Sequence, residues 1–243
     1  MTKARLLITR FAPHAVRLSN LLNAQGTAAF AQPLLEVKQT ADFNDIRVLF
    51  ADRYDYIIAV SPNAVDYTKL ALGDNPWPDA SYFAVGKGTQ ARLTSATGKS
   101  VSIPDKRYDS EGLLALPYLS NIQGKRILIL RGLGGRELLS ETLTARGAVV
   151  EYYQPYQRVA IELSGPLLTE KWQQLNINGV IISSVELLER LLVVVPEVEH
   201  KWLKSLTIYA PSKRITAHAV SLGWSAAEVL PGISDQKIVD YFK

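Results

Sequence analysis

Short apolar runs recur along the chain, each followed by a turn rich in glycine, serine or proline and then by apolar residues at helical spacing. Arg126-Ile-Leu-Ile-Leu130 predicts a buried strand, and Gly132, Gly134 and Gly135 predict a sharp turn after it. Leu139 and Leu143 predict a helix, closed by Gly147 where a left-handed C-cap is expected. A second strand, Ala148 to Tyr153, is expected to end at Gln154-Pro155-Tyr156. This pattern is half of a doubly wound α/β unit.

The same pattern opens the chain, with Arg5 to Thr9 as strand, Leu18 and Leu22 on the helix, Gly26 as cap and Pro33 after the second strand. Arg10 and Arg131, Leu18 and Leu139, Leu22 and Leu143, and Gly26 and Gly147 all stand 121 positions apart. The offset then drifts slightly. Ile57 to Ser61 matches Val180 to Ser184, Tyr82 to Gly86 matches Leu206 to Ala210, and Ser110 matches Ser234. A period so far above the 20 to 50 residues or so of a solenoid reads as two copies of one domain.

Between these anchors, Asp42 to Asp52 predicts a helix, and the strand Asp55 to Val60 leads to Ser61-Pro62, an N-cap followed by proline at the first helical position. Strand Tyr82 to Val85 feeds Gly86-Lys-Gly-Thr89, the opening of a helix that ends near Gly98. Such turns gather at the carboxyl ends of parallel strands, where open α/β sheets bind ligands.

Composition narrows the classes. The chain has 243 residues, 47% of them hydrophobic and 21% charged, as in a soluble globular protein of two domains. The most apolar run, Leu191 to Val195, is too short to cross a bilayer and the N-terminus lacks a signal-peptide core, so a cytoplasmic protein is expected, with no membrane partner. The absence of cysteine removes disulfides, thiolate metal sites and thiol catalysis, and the three histidines have no metal-ligand spacing. A net charge of +4 without a basic cluster points to a small anionic ligand and away from nucleic acid.

The segments Leu34 to Lys38 and Tyr156 to Ile161 both alternate in the strand manner. Two boundaries follow. Sequential domains agree with the tendency of neighbours to pack together. If the two segments pair as a ribbon, one domain is 1–34 with 162–243 and the other 39–157, joined by 35–38 and 158–161.

The residues Arg5 to Arg10, Pro33, Ser61-Pro62, Gly86 with Thr89, Leu128 to Gly132, Gly135-Arg136, Arg146-Gly147 and above all Val150 to Arg158 resemble the uroporphyrinogen-III synthase family over essentially the whole chain. The resemblance implies the swapped boundaries: two flavodoxin-like doubly wound domains on a two-stranded ribbon, with a cleft between them. It implies that linear hydroxymethylbilane loses its hydroxyl and closes to uroporphyrinogen III with inversion of the last pyrrole. It implies no cofactor and no metal, a polycarboxylate tetrapyrrole substrate, and a monomer in transient contact with the enzyme that supplies the bilane.

Each candidate residue carries a functional and a plain reading. Tyr156 is an aromatic packed on the ribbon or, as the family implies, the acid assisting hydroxyl departure; phenols are protonated at neutral pH. Ser61 and Ser184 are N-caps or substrate contacts, and Ser183 with Glu186 makes a capping box on the plain reading. Thr89 is a cap or, by resemblance, a cleft residue. Arg10 and Arg131 meet a substrate carboxylate or a protein acid, Lys87 is a solvated turn lysine unless a ligand is present, and Gly132 belongs to the turn or, with the resemblance, to the substrate contacts. The turn Ala210 to Thr216 lacks the family's glycine, so its threonine aligns with Ile215 or with Thr216, and Ser212 and Lys213 are the substitutes. Two rivals stay open. Gly132-x-Gly134 with Glu151 imitates a dinucleotide fingerprint whose third glycine is replaced by Glu137, and a bilobal protein can be a non-catalytic anion receptor.

Overall fold

A computed structural model of the chain describes residues 3–243, so the first two residues of the expected 1–34 segment lie outside it. The elements begin with β1 (Arg5–Ile8), α1 (Ala12–Ala24), β2 (Ala28–Ala31) and β3 (Leu35–Gln39). Next come α2 (Ile46–Leu49), β4 (Tyr56–Ala59), α3 (Pro62–Leu72), β5 (Ser81–Ala84), α4 (Lys87–Thr97), β6 (Val101–Ser102) and α5 (Ser110–Leu114). The glycine-rich unit is β7 (Arg126–Gly132), α6 (Leu138–Ala145) and β8 (Val149–Ala160). The chain then runs through α7 (Gly165–Gln174), β9 (Gly179–Ile181), α8 (Val185–Val194), α9 (His200–Leu203), β10 (Thr207–Ala210), α10 (Lys213–Ser221), β11 (Ala227–Val229) and α11 (Asp235–Tyr241).

The chain divides into two compact units, Met1–Glu36 with Val159–Lys243, and Val37–Arg158. The first holds a parallel sheet in the order β2-β1-β9-β10-β11. The second holds β8-β7-β4-β5-β6, also parallel, with β3 beside β8. Both follow the 2-1-3-4-5 order of a doubly wound sheet, which reverses direction next to its first strand. In the second unit the opening strand–helix–strand comes last in the chain.

Strand registers settle which residues are equivalent. Leu6 lies opposite Gly179 as Ile127 lies opposite Tyr56, and Gly179 opposite Thr207 as Tyr56 opposite Ser81. The offset is therefore 121 at β1/β7, 123 at β4/β9 and 126 at β5/β10. Tyr82 corresponds to Ile208 and not to Leu206, a correction of the expected match.

Alternation along the strands builds a core on each sheet face. In the second unit Ile57, Ala59, Leu128 and Leu130 point to one cluster, while Ile58, Ile127 and Ile129 point to another with Leu139 and Leu143 of α6. In the first unit Leu7 and Val180 face the α8 side with Leu187 and Leu191, and Leu6, Ile8 and Ile181 face α1 with Leu18 and Leu22. Such two-sided burial explains why these strands are apolar without a break.

Two expected elements differ. Residues 42–52 form not one helix but a 3-10 turn, Ala41–Asn44, and the short α2. Asp42, Asn44 and Asp45 are poor helix formers, and the Tyr153 hydroxyl donates to the Phe43 carbonyl at 2.6 Å. β8, expected to stop at Tyr153, continues to Ala160; a register shift between Leu130 and Gly132 absorbs one residue, and the Pro155 carbonyl accepts from Thr40 N–H at 3.1 Å. With Ile161 N–H donating to Leu34 O at 3.1 Å, β3 and β8 run antiparallel. Among the described residues no helix is long and apolar enough to cross a membrane.

Candidate functional site

In the second unit the strand order reverses between β7 and β4, and three of the expected site residues meet there. Gly132 ends β7, lies in register with Tyr156 of β8, and is extended, not part of the turn as expected. A Cβ on Gly132 would lie 2.7 Å from Tyr156 Cζ and 3.0 Å from its hydroxyl, so the glycine is demanded by the ring. The turn itself is made by Gly134 and Gly135, at φ +76° and +102°.

Tyr156 is 3% exposed, and its hydroxyl lies 2.8 Å from Ser61 Oγ. Ser61 is extended at the N-cap of α3, with Pro62 at the first helical position, and its Oγ also accepts from Ala64 N–H at 3.0 Å. Having accepted that bond, Ser61 can still either donate to or accept from the phenol. The Tyr156 ring packs at 5.4 Å on Tyr67, six residues along α3. A phenol, a serine and the amino end of a helix thus converge where doubly wound sheets hold ligands.

The start of α4 lies alongside, since a Cβ on Gly88 would be in ordinary contact, 3.9 Å, with Pro62 Cγ. Thr89, in the first turn of α4, is buried, and Lys87 is exposed with its Nζ 5.8 Å from the Tyr108 ring centre. No hydrogen bond among the described residues joins either to Tyr156.

Arg131 works inside the protein. Only 5% exposed, it donates to the carbonyls of Gly132, Gly134 and Arg136, pairs with Glu137 at 3.1 Å, and lies 4.7 Å from the Tyr152 ring centre. The guanidinium therefore closes the 132–137 loop on itself. The Tyr152 hydroxyl and then Arg131 and Ser140 hold the Glu137 carboxyl below the usual range.

The first unit has the same frame with different contents. Ser184 caps α8, accepting from Leu187 N–H at 3.2 Å, so the expected capping box of Ser183 and Glu186 is not formed: the helix starts one residue later. Phe11 stands at the place of Gly132, and buried Leu35 at that of Tyr156, since the Ile161–Leu34 and Thr40–Pro155 hydrogen bonds match across the same offset of 121. Arg10 meets Asp235 at 2.8 Å, and Arg17 meets the same carboxylate at 2.5 Å. Burial raises the Asp235 carboxyl, but the bonds from Arg17 and Arg10 outweigh it and hold the group below its ordinary value. Ser212 occupies the N-cap position of α10 without a side-chain cap bond, and Lys213 is exposed. Lys213 stands 126 positions after Lys87, so Thr89 corresponds to Ile215, not Thr216.

The dinucleotide reading fails on position. Glu151 lies opposite Leu128, near the amino end of its strand and away from the glycine turn, and is bound by Tyr54 at 2.7 Å and Arg126 at 2.8 Å. Among the described residues no group of His, Cys, Asp or Glu is arranged to hold a metal. Tyr67 went unnoticed in the sequence, where it is one aromatic on an amphipathic helix; its partner Tyr156 is distant in the chain.

A family model described as uroporphyrinogen-III synthase HemD matches residues 16–233. The chain is similar to the uroporphyrinogen-III synthases of Escherichia coli K12, 36% identical over 92% of this chain and 94% of that one, and of Salmonella typhimurium LT2, 38% identical with the same coverage. In fold it is similar to the crystal structures of uroporphyrinogen III synthase from Thermus thermophilus (a mutant form; TM-score 0.64, 17% identity) and of uroporphyrinogen-III synthetase from Helicobacter pylori 26695 (TM-score 0.62, 14% identity). Each comparison covers 98% of this chain and 97% of the other.

Proposed function

The chain belongs to the uroporphyrinogen-III synthase family, and from that premise we propose that it is a cyclising hydro-lyase that converts hydroxymethylbilane to uroporphyrinogen III. The substrate's terminal hydroxyl leaves as water once protonated. The cation that remains bonds to the far pyrrole at its substituted carbon, the bond from that carbon to its own methylene breaks, and the freed methylene cation bonds to the ring's unsubstituted carbon, which loses its proton, so that the macrocycle closes with that ring inverted.

The observation that carries this reading is the Tyr156–Ser61 pair at 2.8 Å beside Gly132. Tyr156 is the proton donor: with Ser61 donating to its oxygen, the phenol hydrogen is left for the departing hydroxyl. Because Arg10 and Arg131 are engaged by Asp235 and Glu137, the substrate's carboxylates are received by backbone N–H groups at the helix starts and by the side chains of Lys87, Thr89, Ser184, Ser212 and Lys213, while Ser61 acts on the substrate through Tyr156. Gly132 contributes by its lack of a side chain.

The finer architecture is part of the same proposal. Residues 35–38 and 158–161 form a ribbon on which two flavodoxin-like domains, 1–34 with 162–243 and 39–157, close on substrate. The protein acts in the cytoplasm as a monomer and meets the bilane-supplying enzyme in passing. Small-angle scattering with and without product tests the closure.

Incubation with hydroxymethylbilane, followed by oxidation and chromatography of the porphyrins, tests the reaction. The type III isomer is expected to dominate; type I product at every enzyme concentration would mean that the ring closes without steering and the assignment is wrong.

A further inference from the structure

We propose that Tyr67 is the positioning residue for Tyr156, an inference that rests on the reaction assigned above. Tyr156 is gripped on three sides. Gly132 lies under the phenol end, Ser61 holds the hydroxyl, and the Tyr67 ring packs on its ring at 5.4 Å with an interplanar angle of 35°. Tyr67 is itself held at both ends. Phe43 meets its ring edge-on at 6.4 Å, and its hydroxyl donates to the Val37 carbonyl of β3 at 3.2 Å.

The other copy separates structural duty from specialised duty. Arg190 occupies the place of Tyr67 on α8, and it donates to the Ile161 carbonyl, just past the end of β8, at 2.7 Å. A helix residue bonding a linker-strand carbonyl is therefore common to both units. A flat ring above the neighbouring side chain is not: the counterpart of Tyr156 in the unit of Arg190 is Leu35, which has no hydroxyl to orient, and the ring occurs where the partner is Tyr156. An anchor alone could have been supplied by any long donor; what Tyr67 adds is a surface that fixes the plane in which the Tyr156 phenol lies. A misaligned donor loses rate even when its chemistry is intact.

The test measures kcat, KM and the fraction of type III product for four forms: the unaltered chain, Tyr67→Phe, Tyr67→Leu, and Tyr67→Leu in a Tyr156→Phe background. Tyr67→Phe keeps the ring and is expected to hold kcat within about twofold. Tyr67→Leu is expected to lower kcat about two- to tenfold, the scale of one aromatic pair, with KM little changed. In the Tyr156→Phe background the same change should cost no further rate, because the group it positions is gone. Equal losses in both backgrounds, or no loss in the first, would overturn the role and leave the assigned reaction standing. If the unaltered chain does not turn over, the reaction fails and the role with it. Should Tyr67→Leu not fold, Tyr67→Met fills the volume without a ring and is judged by the same criteria.

Discussion

The two units share a sheet order, strand registers and serine-capped helices, yet they fill the carboxyl end of the first strand differently. One uses Phe11 with Leu35, the other Gly132 with Tyr156, and the residues further out follow suit: Ile215 against Thr89, Arg190 against Tyr67. Elsewhere the exchange runs in reverse. Gly179 makes room for Tyr209 in the first unit, where the second has Tyr56 against Phe83 with ring centres 5.2 Å apart. Close packing fixes the volume to be filled and leaves open how it is divided between facing residues. A glycine–tyrosine pair inside a sheet is packing. At the strand ends the same pair brings a phenol to a serine at a helix start, and packing becomes a candidate chemistry.

The sharpest way to break the comparison is to remove one oxygen. Tyr156→Phe keeps the ring and is expected to lower kcat about a hundredfold, the low end for a positioned acid, with the melting temperature unchanged. In the other copy Leu35→Ala is expected to do the opposite, lowering stability by about 2–5 kcal/mol in denaturant titration while turnover of the folded fraction stays normal. Retained rate with a lowered melting temperature in Tyr156→Phe would make Tyr156 as structural as Leu35.

Repartitioning the volume comes next. Gly132→Ala forces a methyl group against the Tyr156 ring and is expected to cost about 1–3 kcal/mol and most of the activity. Adding Tyr156→Leu, in imitation of the first unit, should recover the stability and none of the turnover. Recovery of both by the double variant would detach function from the phenol.

The two caps then offer a matched pair. Ser61→Ala and Ser184→Ala should each destabilise by about 1 kcal/mol, and Ser61→Ala alone should also slow kcat. Equal kinetic effects would remove the distinction between the units.

The smallest effect is one of pH. Because Arg17 and Arg10 outweigh burial and hold the folded Asp235 carboxyl below its reference value of 3.8, its contribution to stability is complete above that value and is lost as pH falls through the lower, folded one. Asp235→Asn is expected to flatten that part of the acid unfolding curve; an unchanged acid limb would show that the ion pair contributes nothing measurable.

The strand and cap positions were legible in the sequence because they rest on local signals: the β7 run with Gly147 beyond it, Ser61 with Pro62, Gly98 after α4. The 42–52 helix was misread because its apolar spacing concealed Asp42, Asn44 and Asp45, and because Tyr153, far along the chain, claims a carbonyl there. Ser61, Gly132 and Tyr156 were each visible as candidates. Their meeting was not, since it depends on the β4/β7 register and on a Cβ that Gly132 lacks. Arg10 and Arg131 were ambiguous for the same reason, as the acids that engage them were visible only as isolated residues.

The interrupted path of the chain has a consequence for its synthesis. The second unit is a continuous stretch, Val37–Arg158, whereas the first begins with β1 and must wait for β9, whose Gly179 lies opposite Leu6. Domains fold as units when their residues are available, so during translation the later-starting unit should be complete first, while the side of β1 away from β2 waits for β9. Pairing of β3 with β8 then brings the two ends of that finished stretch together, and the wide loop between Leu6 and Gly179 shortens in effect to the few residues outside it. Closing a shorter loop costs less chain entropy. The inserted unit would serve the split one as a template for its own closure.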